Sequence, residues 1–327
     1  MINSWAFLFS LFLDIRNLFY IVLVSFFSCS SPVEQTEHQT SNTPFIVVLG
    51  NAQDAGYPQA GCSKECCNNY YSGKEKKHFV SCIVLIDPQT KQRWMFDCTP
   101  DFPAQLHLLD SIFPSEKTLD GIFLTHAHMG HYTGLMYLGR EAINTKNIPV
   151  YCMPDMQEFL QTSNPWQQLV SIGNIDLIPM KPDTAVQLTK NISVTPFCVP
   201  HRDEISETVG YKITAGERSV IFIPDIDKWE RWETDILELI PHNDLFFLDG
   251  TFFKDGEIPG RNMSEIPHPF IEETMSLFDK LSSRDRAKIH FIHLNHTNPA
   301  LMENSGAQKE IEAKGFKVAL QNAVYSF

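Results

Sequence analysis

Short apolar runs recur along the chain: Phe45–Leu49, Val80–Ile86, Arg93–Asp97, Gly121–Leu124, Pro149–Met153, Ile192–Val199, Val209–Ile213, Ser219–Ile223, Leu245–Leu248 and Lys288–Leu294. Runs this short, rich in β-branched and aromatic residues, predict strands. Stretches with apolar residues at three- and four-residue spacing predict helices over Pro103–Ser111, Gly134–Asn144, Met156–Gln161, Trp229–Glu238, Phe270–Ser282 and Ala307–Lys314. The strands come in groups with helices between the groups. That predicts an α/β (α+β) arrangement of mixed sheets with helices outside, not a strict βαβ alternation. The N-terminal half closes near residue 200 with a strand and a loop carrying His201, and the second half repeats the order of strand then polar residue. Two packed sheets with ligands on one common edge fit this order.

The chain before residue 45 is different. Leu18–Phe27 (LFYIVLVSFF) is strongly apolar, with Arg16 before it and Ser28-Cys29-Ser30-Ser31 after it. It is too short to span a bilayer but suits the core of a signal peptide. We read residues 1–28 as a lipoprotein-type signal peptide, Cys29 as the lipid-modified residue, 29–44 as a flexible tether and 45–327 as the working domain. An uncleaved anchor helix, or a start codon upstream of the real signal, are the other readings. Lipid at Cys29 would hold the protein to a membrane of the bacterial cell envelope, facing the periplasm or the outer surface.

Charge narrows the partners. Among 327 residues, 26 basic and 39 acidic ones give −13. Such a surface repels a phosphate backbone, so a small-molecule substrate is expected rather than nucleic acid. Besides Cys29 there are seven cysteines, an odd number that argues against a complete disulfide framework. Cys82, Cys98, Cys152 and Cys198 sit singly in apolar runs and read as buried thiols.

The chemistry concentrates in Thr125-His126-Ala127-His128-Met129-Gly130-His131. Alternation at a strand end points His126 and His128 the same way, and a turn at Gly130 can bring His131 to the same side. Three of the chain's 12 histidines within six residues make a transition-metal site a better reading than a surface loop. Further donors follow strands in order: His201, Asp225, then His293 and His296. Taken singly, each also reads as a loop or capping residue, Asp225 as a helix cap. Asp97, at a strand end, either orients a ligand histidine or caps the turn before Pro100.

This order resembles the metallo-β-lactamase superfamily, and within it the branch of the quinone-cofactor synthesis protein PqqB and the phosphodiesterase PhnP. The stretches Leu49–Gln59, Asp97–Asp101 and His293–Pro299 support that branch. The resemblance runs from about residue 45 to the end and implies a four-layer αββα sandwich. It also implies a first metal on His126, His128 and His201, and a second on His131 and His293, with Asp225 bridging. The family motif HxHxDH has an aspartate where this chain has Gly130, so a mononuclear site or a weakly held second metal is expected. PqqB itself loses histidines that this chain keeps.

The expected metals are one or two Zn²⁺ in the active site, with Fe²⁺ or Mn²⁺ as alternatives. Such an ion brings the pKa of bound water from ~16 towards ~7. Cys62, Cys66 and Cys67 resemble the branch's zinc knuckle, completed three residues past the last active-site ligand, here at His296. The spacing Cys-x3-Cys-Cys departs from the relatives' Cys-x-Cys-x2-Cys, and a disulfide from Cys62 to Cys66 or Cys67 is the competing reading. His268, between Pro267 and Pro269, resembles by position the catalytic histidine of the phosphodiesterase relative, against a plain surface-loop residue. The loop Thr251–Pro267, with Phe252, Phe253, Arg261 and Asn262, is the candidate lid.

The functional expectation is a hydrolase that uses a metal-bound hydroxide on a small ester, a phosphodiester or a lactone, with Asp225 and His268 as its catalytic residues. A PqqB-like iron-dependent oxidative enzyme and a non-catalytic metal-binding envelope lipoprotein are the alternatives.

Overall fold

A computed structural model describes residues 42–327. The signal peptide, Cys29 and all but the end of the expected tether lie outside the described residues. Among the described residues, no helix is long and apolar enough to cross a membrane.

The first sheet is built from β1 (Phe45–Gly50), β2 (Cys82–Asp87), β3 (Gln92–Phe96), β4 (Gly121–Phe123), β5 (Ile148–Cys152) and β6 (Ile175–Pro179). The second runs through β7 (Val186–Gln187), β8 (Ile192–Cys198), β9 (Val209–Ala215), β10 (Arg218–Ile223), β11 (Leu245–Asp249), β12 (Ile289–Ile292) and β13 (Lys317–Val318). The chain then returns to the first sheet, where β14 (Val324–Ser326) pairs with β1. Each sheet has seven strands, in the orders 14-1-2-3-4-5-6 and 13-12-11-10-9-8-7.

Side-chain alternation explains the layers. In β1, Ile46 and Val48 face the other sheet, while Val47 and Leu49 face helices that include Phe102, Leu109 and Leu160. In β10, Val220 and Phe222 face inward, and Ile221 and Ile223 pack against Ile236, Ile271 and Phe278. Strands covered on both faces read as unbroken apolar runs, which is why these were visible in the sequence. The result is the four-layer αββα sandwich. Phe96 stacks on Phe123 at 5.0 Å and meets Phe222 of the facing sheet edge-on at 6.2 Å. Each such buried ring contributes about 1.5–3 kcal/mol, directly beneath the rim that carries the site.

Pairing direction decides what that rim holds. β1 and β2, and β2 and β3, are antiparallel, so β1 runs parallel to β3 and β4. β8 and β9, and β9 and β10, are antiparallel, so β8 runs parallel to β10, β11 and β12. The C-terminal ends of β1, β3 and β4 therefore share one edge of their sheet, and those of β8, β10, β11 and β12 share one edge of theirs. Such carboxyl edges are where open α/β sheets place ligands.

Some expectations change. The helix expected over Trp229–Glu238 is a 3-10 turn, Trp229–Arg231, followed by a separate helix, Ile236–Leu239. The break comes at Asp235, whose side chain accepts from Leu237 N (2.9 Å) and starts the second helix. The helix expected over Gly134–Asn144 is a 3-10 turn, Thr133–Leu138, ended by Gly139 in an extended conformation. Cys198 is exposed rather than buried, because it is the last residue of β8.

Candidate metal centre

Every donor arrives just past a strand's C-terminal end: His126 after β4, His201 after β8, Asp225 after β10 and His293 after β12. Asp225 Oδ2 stands in the middle. It lies 3.3 Å from Nε2 of both His126 and His201, 3.9 Å from Nδ1 of His128, and 4.0 Å from Nε2 of both His131 and His293. Donors about 2.0–2.2 Å from one ion sit roughly 3–4 Å apart, so this spacing suits shared coordination. Two histidine-rich sets meet at Asp225, His126, His128 and His201 on one side and Asp54, His131 and His293 on the other, and a smaller third joins Asp225 to Asp249 and His268, the atoms of each set all within 4.8 Å of one another.

Three atoms test the fit. His131 Nε2, His201 Nε2 and Asp225 Oδ1 are buried without a hydrogen-bond partner. A buried polar atom left so costs about 1–3 kcal/mol. A divalent cation bound to these sets would satisfy the two imidazole nitrogens and draw on Asp225.

An outer ring of aspartates and threonines fixes the rings. His131 Nδ1 donates to Asp97 Oδ2 (2.7 Å), and the same carboxylate accepts from Thr125 N and Oγ1 (2.8 and 2.9 Å). Asp97 thus takes the orienting role. His201 Nδ1 donates to Asp227 Oδ1 (3.1 Å), itself held by Arg231 Nη1 (2.8 Å). Thr251 Oγ1 donates to Asp249 Oδ1 (2.7 Å) and accepts from His293 Nδ1 (3.0 Å). With Nδ1 engaged, Nε2 of these rings is free to face a metal.

Electrostatics follow from this packing. Burial, with His131 nearby, holds His126 well below the ordinary histidine range and keeps it a neutral ligand. Burial also opposes charge on His131, but Asp97 and Asp54 outweigh it and hold His131 well above that range. A metal must therefore compete with a proton there. Burial would raise Asp225, yet His268, His201 and His293 hold it well below the usual carboxylate range.

The structure brings together all six residues expected around the metals, and His268 with them. His268 is buried rather than on a surface loop. Its Nδ1 lies 2.8 Å from Asp249 Oδ2 and 3.2 Å from Asp225 Oδ1. Burial opposes its protonation, but Asp249 and Asp225 lift it to about 9. Phe252 and Phe253 are buried too: Phe252 packs with Met263, Ile266 and Phe270 and meets the His268 ring edge-on at 6.2 Å, and Phe253 joins the core beneath the second sheet. Of the site's side chains, His128 and Asp54 are each 17% exposed.

Cys62, Cys66, Cys67 and His296 form a separate donor cluster. The thiols are free, with Cys62 and Cys66 sulfurs 3.8 Å apart, so the disulfide alternative is not formed. Sulfurs on one zinc at ~2.3 Å would stand about that far apart. Sequence reasoning missed Asp54, Asp227 and Asp249. The available signal was an acidic residue at or just past the end of a strand, as at Asp97.

The fold agrees with comparison to known proteins. Residues 92–291 match the model of the beta-lactamase superfamily domain. The chain belongs to the beta-lactamase superfamily. Within this superfamily it is 26% identical over 308 residues to coenzyme PQQ synthesis protein B of Nitrosococcus oceani, covering 84% of this chain and 97% of that protein. The protein of the same name from Pseudomonas putida is 27% identical over 305 residues, with the same coverage. The fold is that of zinc-bound PqqB from Methylobacterium extorquens (TM-score 0.73, 21% identity, 86% of this chain and 100% of that one). It is also that of a diphosphatase from the PhnP family (TM-score 0.61, 19% identity, 87% and 97%).

Proposed function

We propose that this chain is a metal-dependent enzyme of PqqB type that hydrolyses a small ester, a phosphodiester or a lactone. The observation that carries this reading is the single oxygen, Asp225 Oδ2, within 4.0 Å of five imidazole nitrogens. A divalent ion on these residues, zinc, manganese or iron, would supply Lewis acidity and the means to activate water near neutral pH. His126, His128 and His201 would hold one side of the centre, and His131 and His293 the other. His268, whose Nδ1 is held by Asp249 and lies close to Asp225, would be the proton donor to a leaving oxygen. Substrate enters over His128 and Asp54.

The relatives' names favour a second reading more directly than they favour hydrolysis. In it the chain is a PqqB-like enzyme of quinone cofactor synthesis, with iron on the same residues and dioxygen as co-substrate. The near full-length match to coenzyme PQQ synthesis protein B supports this. The leader-like N-terminus and Cys29 support an envelope location in either case, and a purely metal-binding lipoprotein is the non-enzymatic outcome.

Elemental analysis of protein purified without chelator or added metal separates these readings, comparing wild type with Cys66→Ala and His128→Ala. Zinc in both clusters, one equivalent lost in the cysteine variant and at least one in the histidine variant, followed by turnover of phosphodiesters or lactones, is the expected result. Iron lost only in His128→Ala moves the assignment to the oxidative enzyme. Metal without turnover of any ester leaves the binding protein, and no metal in any form overturns all three.

A further inference from the structure

Gly130 stands where the family motif carries a metal-binding aspartate, and the space that side chain would need is taken. A Cβ built on Gly130 would overlap Cα and Oδ1 of Asp54 and lie 2.9 Å from its Cβ. Asp54 comes from the segment that leaves β1 at the ligand-bearing edge. Its Oδ1 is 2.9 Å from His131 Nε2 and 3.4 Å from His293 Nε2, and these atoms with Asp225 form one donor set. Despite the 2.9 Å approach, His131 Nε2 makes no hydrogen bond. Its ring does not aim at the carboxylate oxygen, as expected when both atoms face a third point between them.

Building on the metal-centre reading, we infer that Asp54 supplies the carboxylate that the histidine motif lacks, and that Gly130 is the gap which lets it in. The ligand has been exchanged between two loops, not lost. The centre is therefore dinuclear, contrary to what Gly130 alone predicts. Its two halves also differ in kind. The first set has three imidazoles and one carboxylate; the second has two imidazoles and two carboxylates. The oxygen-richer set favours Mn²⁺ or Fe²⁺ more than its neighbour does.

The test is a cycle of Asp54→Gly, Gly130→Asp and the double variant, with Asp54→Asn as a second single change. Each protein is titrated with Mn²⁺ and with Zn²⁺ by calorimetry, and its metal content measured after dialysis. Wild type should hold two metals at the centre besides the cysteine-cluster zinc. Asp54→Gly and Asp54→Asn should weaken one of the two by on the order of 10²-fold, and Mn²⁺ binding should suffer most. Gly130→Asp alone should lose the same metal through overlap with Asp54. The double variant should regain it.

Two centre metals retained at unchanged affinity in Asp54→Asn would overturn the inference and leave the parent reading standing. So would a double variant that keeps the cysteine-cluster zinc and its thermal transition but does not recover the second metal. A wild type with no metal at the centre would instead sink the parent reading.

Discussion

The two sheets deliver their donors by different routes. The first packs His126, His128 and His131 into one short segment after β4. The second spreads His201, Asp225, His268 and His293 over four separate loops. Yet the support behind them is alike. Asp97 in the first half binds the Thr125 hydroxyl and His131 Nδ1, and Asp249 in the second binds the Thr251 hydroxyl and His268 Nδ1. Each half also has a site residue among the chain's left-handed non-glycine positions, Asp97 (φ 65°) in the first and His293 (φ 64°) in the second. A site can thus be concentrated in a motif or dispersed by topology, and the physical demand for second-layer support is the same.

The largest expected effect comes from removing what the halves share. Asp225→Ala should empty both donor sets while the cysteine cluster keeps its zinc. Losing several kcal/mol of charge stabilisation corresponds to a fall of about 10³-fold or more in turnover. Metal analysis with steady-state kinetics checks this, and retention of one centre metal would mean that the halves are independent.

Next come the paired supports. Asp97→Asn and Asp249→Asn should each weaken metal binding by about 10–100-fold. Asparagine tolerates the left-handed backbone at 97, so that fold should persist. Asp97→Asn acts through His131, whereas Asp249→Asn frees His268 and loosens Thr251 beneath His293. The second change should therefore also alter the pH dependence of turnover. Identical pH profiles for the two variants would break the comparison.

The smallest effect belongs to the longer connection of the second half, which half-buries Glu257. Burial raises its carboxyl from 4.5 to about 7, against the pull of Thr297 Oγ1 and Phe253 N. A carboxyl raised on folding stabilises the fold while protonated. That contribution is full below about pH 4.5 and is lost as pH rises through about 7. The shift bounds the loss at about 3 kcal/mol, and partial exposure brings it nearer 1 kcal/mol. Glu257→Gln should flatten the decline in denaturant stability between pH 5 and pH 8, and an unchanged slope would rule this out.

What could be read in advance follows the same division. The histidine motif was legible because three rare residues sit in one turn after an apolar run. His201, Asp225 and His293 were legible only as an ordered series. Asp54, Asp227 and Asp249 are single aspartates in an acid-rich chain, and their meaning arises only when strand directions bring them to one edge. Gly130 alone predicts a missing ligand, because nothing local reveals that a residue 76 positions earlier fills its space. Among the strands, the doubly covered ones announced themselves. β6, β7, β13 and β14 did not, being short or, like β6, alternating buried and exposed positions at a sheet edge.

The left-handed backbone at His293 carries one further consequence. A histidine there costs roughly 1–2 kcal/mol relative to glycine. The strain is contained because Leu294 N bonds Asn51 O (2.8 Å) and Asn295 N bonds Thr251 O (2.9 Å), tying the two residues that follow it to an exit of each sheet. Stability and chemistry therefore pull in opposite directions at this one position. Glycine at 293 would relieve that backbone cost and remove the imidazole at the same stroke.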